Sequence, residues 1–149
     1  MSEARASMTT AYRFHPGTRL ALLQGTGLLS LDHWESNAKA ALGHPGWQGT
    51  RRILSDRRRM TGTFPPGMED RVLAFFRANA EALGDVQWAV VVPEVKAAFD
   101  TVRVAAELSK GTRVRVQGFT DLAVALQWLL GAYQEVQITS LIQWIDANQ

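Results

Sequence analysis

The chain has 149 residues, 46% hydrophobic and 20% charged, with five Trp and six Phe. That balance excludes a disordered chain and fits one globular domain, since a chain this long buries roughly 70% of its unfolded surface. Sixteen Lys and Arg against fourteen Asp and Glu leave a net charge of only +2, too little to predict nucleic-acid binding from net charge.

The absence of cysteine removes disulfides, thiol catalysis and thiolate metal sites together. No run approaches the roughly 20 apolar residues of a membrane span, and "MSEARASMTTAYRF" holds no apolar core of signal-peptide length. The cytoplasm is the expected compartment.

Residues 1–10 are small and polar and are expected to fray. "AYRF" and "RLALLQ", with "HPG" between them, predict a hairpin of two strands. Ser30 is placed to cap a helix carrying Leu31, Trp34, Ala38 and Ala41, which Gly43 and Pro45 stop. "RRILSD" gives a short strand at Ile53 and Leu54. A loop of arginines follows, then a helix opened by Pro65, Pro66 and Gly67, carrying Met68, Val72, Phe75, Phe76 and Leu83 and closed by Gly84.

"VQWAVVV", residues 86–92, is apolar almost throughout, as a strand covered on both faces of a parallel sheet should be. Pro93 then leads into a helix burying Val95, Phe99, Val102 and Ala106. "TRVRVQ" alternates Val114 and Val116 against Arg113, Arg115 and Gln117, the pattern of a charged edge strand. Thr120 is expected to cap a helix with Leu122, Leu126 and Leu129 that stops at Gly131, and a last helix is expected from about Thr139. Its apolar stripe would face either the sheet or a second subunit.

Strands separated by helical segments of this length predict βαβ units. The expected fold is a single-domain α/β sandwich: an N-terminal β-hairpin, then βαβαβα, with a mixed, largely parallel sheet of four or five strands. Residues 11–131 form the domain and 132–149 a helical extension.

Catalytic constellations are missing from the pattern. His15, His33 and His44 sit in turns or a polar first helical turn, without the oriented base and nucleophile that Ser or Thr catalysis needs. No His pair has ligand spacing and no acidic cluster resembles a calcium loop. The chain is therefore read as neither an enzyme nor a metal or cofactor protein.

In an open α/β sheet, ligands and partners bind where strands end and helices begin. That rule gathers Ser55, Asp56 and Arg57, Arg58 and Arg59 after one strand, Pro93 after the next, and Phe119 and Thr120 after the last. A basic rim beside a helix start suits an anion or the acidic face of a protein.

Three stretches, "RRILSD", "WAVVVPEVKAAFDTVRVAAEL" and "VRVQGFTDLAVALQWLL", resemble the SpoIIAA-like group. These are STAS-type domains related to bacterial anti-sigma-factor antagonists and placed near the CRAL-TRIO lipid-exchange fold; the likeness spans about residues 11–131. It implies a regulatory module, not an enzyme. In such antagonists a Ser at the start of the helix after the middle strand is phosphorylated by a partner kinase. The matching positions here are Pro65 and Pro66, which have no hydroxyl; the nearest hydroxyls are Thr61 and Thr63.

The expected function is thus a non-enzymatic interaction module that binds a protein partner, or its own copy, through Asp56, Arg57, Arg58, Arg59, Thr61, Thr63, Pro65, Pro66 and Gly67. The alternative is a carrier or sensor of a small apolar or anionic ligand, with Ser55, Pro93, Phe119 and Thr120 at the same rim.

Overall fold

In the computed structural model, residues 9–28, 30–48, 50–61, 67–93, 100, 103–104, 107–131 and 135–147 are described. In chain order they form β1 (Thr9–His15), β2 (Leu20–Leu28), α1 (Leu31–Leu42), a 3-10 turn (Pro45–Trp47), β3 (Arg52–Thr61), α2 (Met68–Ala78) and α3 (Ala80–Leu83). β4 (Gln87–Val91), β5 (Arg115–Phe119), α4 (Leu122–Leu130) and α5 (Glu135–Asp146) follow. Between β4 and β5, Asp100, Arg103, Val104, Glu107 and Leu108 are helical. Val95, Phe99, Val102 and Ala106 lie outside the described residues, as do Thr63, Pro65 and Pro66.

The strands make one sheet in the order β1-β2-β3-β4-β5. β1 and β2 are the expected antiparallel hairpin, and every later pair is parallel. Because each βαβ step moves the same way across the sheet, crossovers of one hand set α1 and α2 on one face. The strands from β2 onward alternate accordingly. Ala21, Leu23, Ile53, Trp88 and Val90 pack with Trp34, Val72, Phe75 and Phe76 on that face. Leu20, Leu22, Leu54, Ala89 and Val91 pack with Leu122, Leu126, Leu129, Ile138 and Ile145 of α4 and α5 on the other. β4 is apolar at nearly every position because it is central and covered on both sides.

Several boundaries differ from the sequence reading. β1 starts at Thr9, so Thr9 and Thr10 pair with Thr26 and Gly25. The expected helix through Leu83 breaks at Asn79, whose φ of −116° leaves the helical region while its side chain donates to the Phe75 carbonyl at 2.9 Å. α5 begins at Glu135, four residues before Thr139, and packs on the sheet. Asp121, not Thr120, caps α4: its carboxylate accepts from the backbone N–H of Ala123 (2.8 Å) and Val124 (3.2 Å), while Thr120 is an exposed bend.

The largest difference concerns the arginines. β3 does not stop at Asp56; it continues through Arg57, Arg58, Arg59 and Met60 to Thr61, pairing with Thr26, Gly27 and Leu28 of β2. The β2–β3 ladder slips by one residue on β3 between Asp56 and Arg59, a bulge that turns neighbouring side chains apart. Three consecutive arginines carry no apolar alternation, so their strand was invisible; what holds them extended is the ladder that β2 offers.

Candidate functional site

The expected rim exists at the carboxyl ends of β2 to β5. Leu28 and Thr61 face each other in the last rung of the β2–β3 ladder. Gly67 precedes α2 with φ +82°, a left-handed conformation that favours glycine, and supplies no side-chain cap. The helix starts at Met68, directly after this cap; Pro65 and Pro66, expected to open it, lie outside the described residues. Glu69 and Asp70 are exposed in that first turn, where the helix dipole favours negative charge. Pro93 and Thr120 are exposed at the ends of β4 and β5.

The three arginines go three ways. Arg58 clamps the carboxylate of Asp56, donating from Nε to Oδ1 and from an Nη to Oδ2, both at 2.9 Å. The same guanidinium reaches Asp146 at the end of α5 at 2.7 Å. Asp56 is only 3% exposed and also accepts the Arg58 backbone N–H at 3.1 Å, so one carboxylate serves both the bulge and the clamp. Hydrogen bonding to Asp56 dominates the environment of Arg58 and raises its pKa; burial opposes this and Asp146 adds to it. Two further donors fix the same helix end: Arg13 and Gln24 reach the Ile145 carbonyl at 3.1 and 3.3 Å, with Arg13 4.3 Å over the Trp144 ring.

Arg57 turns to the opposite face, where it lines a half-open cavity of about 30 Å³ with Trp34, Met68, Val72, Trp88 and other apolar residues. Burial pushes its pKa down to about 10, which leaves it protonated at neutral pH. Arg59 is exposed beside an open polar groove of about 200 Å³ bordered by Thr9, Gln24, Thr26 and Asp56. Asp56, Arg57 and Arg58, expected to meet a partner, are thus engaged in the fold itself, and Arg59 and Thr61 remain at the rim.

The residues expected to hold a ligand do not converge. Ser55 is buried on the α1–α2 face, its hydroxyl accepting from Trp88 Nε1 at 2.8 Å. Phe119 packs on the opposite face against Leu122 and Trp128. Sequence reasoning passed over Trp34 and Trp88, whose rings stack 6.3 Å apart on the α1–α2 face; the available signal was an indole at an inward position of a helix and of a buried strand. Among the described residues no group of three or more His, Asp or Glu could hold a metal ion, and no helix is long and apolar enough to cross a membrane.

No family model matches the sequence, and no match to a curated protein reaches significance. Solved structures do match. One is a protein of the DUF3478 family with a SpoIIAA-like fold from Shewanella loihica, 17% identical with a TM-score of 0.56, aligned over 87% of this chain and 98% of its own. Another is an anti-sigma factor antagonist from Mycobacterium paratuberculosis, 15% identical with a TM-score of 0.54, aligned over 83% of this chain and 94% of its own. At these identities the shared property is the fold: this chain has a SpoIIAA-like fold, as its sequence stretches suggested.

Proposed function

We propose that this protein is a regulatory module that binds another protein, without catalysis, through the rim at the carboxyl ends of its parallel strands. The observation that carries the reading is the position of exposed apolar side chains. Among the described residues the large hydrophobics left exposed are Leu28, Val124 and Val136. Leu28 ends β2 and Val124 lies in the first turn of α4, directly after β5, so two of the three sit at this rim. Arg59, Glu69 and Asp70, at the end of β3 and the start of α2, are exposed and bring charge of both signs to the same end of the sheet, which suits a mixed protein interface more than a polyanion grip.

The fold likeness to an anti-sigma factor antagonist suggests an anti-sigma factor as the partner class, in the cytoplasm of a bacterium. Pro65 and Pro66 would leave such a module without the helix-start phosphoacceptor, so binding would be constitutive with respect to that switch.

A photo-crosslinking residue at position 28, compared with one at position 136 at the opposite end of the molecule, tests this in extract of the source cell. Crosslinks to a discrete protein are expected from 28 and not from 136, and Arg59→Glu should remove them. Indistinguishable labelling from both positions, or none from position 28, would defeat the proposal.

A further inference from the structure

We infer that the polar groove beyond the end of α5 is a binding site for a small phosphate monoester, its phosphoryl oxygens held by the Arg59 guanidinium and the hydroxyls of Thr26 and Thr9. This goes beyond the proposed function: it concerns a small anion on a face of the sheet and not a protein at the strand-end rim, although Arg59 borders both.

The first observation is how strand register assembles the donors. Thr26 pairs with Thr9 of β1 on one side and with Arg59 of β3 on the other, so the three residues form one transverse row. The row beside it is Ala11, Gln24 and Asp56, and both rows border the groove. Gln24 reaches the Ile145 carbonyl, which fixes this face as the α4–α5 side, and Thr26, two residues further along β2, shares it. The bulge is what brings Arg59 into the row: β3 advances three residues, Asp56 to Arg59, while β2 advances two, Gln24 to Thr26. Regular pairing would have set Arg58 opposite Thr26. Re-aiming one side chain beside a site is a common use of such bulges.

The second observation is that these donors are unspent. Among the described residues, the Arg59 guanidinium and the hydroxyls of Thr9 and Thr26 make no hydrogen bond or ion pair. The other charged groups beside the groove offset one another: Arg58 clamps Asp56 and reaches Asp146, and Arg13 lies over Trp144 with a bond to the Ile145 carbonyl. Asp56 therefore presents a carboxylate already gripped by a cation, and Arg59 adds the positive charge that no described carboxylate meets.

Size and geometry then narrow the ligand. The groove holds about 200 Å³, more than the roughly 150 Å³ that accommodates benzene, so a phosphoryl group with a short alkyl substituent fits. Neighbouring strands lie about 4.8 Å apart, so donors from three of them span roughly 10 Å. A carboxylate spends both oxygens on the guanidinium fork, whereas a phosphoryl group keeps a further oxygen for the hydroxyls. An alcohol would serve the hydroxyls while offering Arg59 no charge.

The purified full chain, in phosphate-free buffer of low ionic strength, would be titrated with methyl phosphate, inorganic phosphate, acetate and methanol, followed by calorimetry and by backbone amide resonances. Saturable binding of methyl phosphate with a Kd of about 1 mM or tighter is expected, at least about tenfold tighter than acetate, with the largest shifts at Thr9, Thr26 and Arg59 and none with methanol. Inorganic phosphate bound within about threefold of methyl phosphate would assign recognition to the phosphoryl group alone; weaker binding would show that the ester carbon is read as well. Arg59→Gln should weaken binding at least about tenfold, and Arg59→Lys and Thr26→Val about threefold each. Arg77→Gln, which removes an exposed arginine from α2 on the other face, should leave it unchanged. Each variant is compared only if it keeps the wild-type circular dichroism.

No saturation by about 10 mM methyl phosphate, equal affinity for acetate, or unchanged affinity in well-folded Arg59→Gln would overturn the assignment. The titration contains no partner protein, so its failure leaves the crosslinks from position 28 standing, and their failure leaves the titration standing.

Discussion

On the α4–α5 face, Leu20, Leu22, Leu54, Leu126 and Ile145 are completely buried, and the carboxylate that borders them, Asp56, is gripped by Arg58. The α1–α2 face is built differently: Trp34, Trp88, Phe75 and Phe76 meet edge-on, tilted or stacked, with two small cavities between them, an indole N–H without an acceptor among the described residues, and an arginine in the wall. The two cavities open where the aromatic rings meet at fixed angles, while the aliphatic face is close-packed. One face is thus closed by packing and a charged clamp, and the other holds small cavities and a buried indole N–H without an acceptor among the described residues.

The contrast can be broken hardest at the clamp. Arg58→Ala leaves the Asp56 carboxylate buried without its main cation and frees the end of α5. A loss of about 3 kcal/mol is expected by urea denaturation, toward the lower end for stranding a buried charge because Arg58 is itself partly exposed. A loss under about 1 kcal/mol would mean the clamp behaves like a surface ion pair.

The two indoles sharpen the comparison within one face. Trp88→Phe strands the buried Ser55 hydroxyl and should cost about 1–3 kcal/mol, while Trp34→Phe removes a donor that has no acceptor to lose and should cost distinctly less in the same denaturation experiment. Equal losses would show that the Trp34 N–H is satisfied in solution.

A smaller effect belongs to the start of α4, where Asp121→Ala removes two cap hydrogen bonds and should cost about 1 kcal/mol, readable as a lower midpoint of thermal unfolding. The smallest concerns His15, which packs edge-on to Trp144 at 4.9 Å and bonds Thr18 at 3.0 Å. Burial lowers its pKa below the ordinary 6.5, so the unfolded chain binds the proton more readily. Its contribution to stability is complete above pH 6.5 and is lost as pH falls through the lower folded value. His15→Gln should flatten the stability profile in that window, measured by denaturation at a series of pH values.

Much of this architecture could be read from residue patterns. The uninterrupted apolar run at 86–92 predicted a strand buried on both faces, and the helical spacing of Trp34, Ala38 and Ala41 predicted the buried side of α1. The site was less legible. Arg57, Arg58 and Arg59 were expected to share one loop and one role, because a polar run shows no periodicity from which to read a strand. The bulge that parts them comes from pairing with β2, some 30 residues earlier in the chain.

What the sequence determined by itself was local and periodic: the strands and helices that carry apolar alternation, which side of each is apolar, and that cysteine chemistry and an uninterrupted membrane span are absent. Tertiary structure alone decided which face each arginine reaches, which indole finds an acceptor, and that α5 closes the sheet by handing Asp146 to Arg58 across 88 residues of chain. The physical reason is range. Backbone propensity and side-chain periodicity act over a few residues, whereas the partner of a buried charge or donor is set by strand register and helix packing, which no short window of sequence contains.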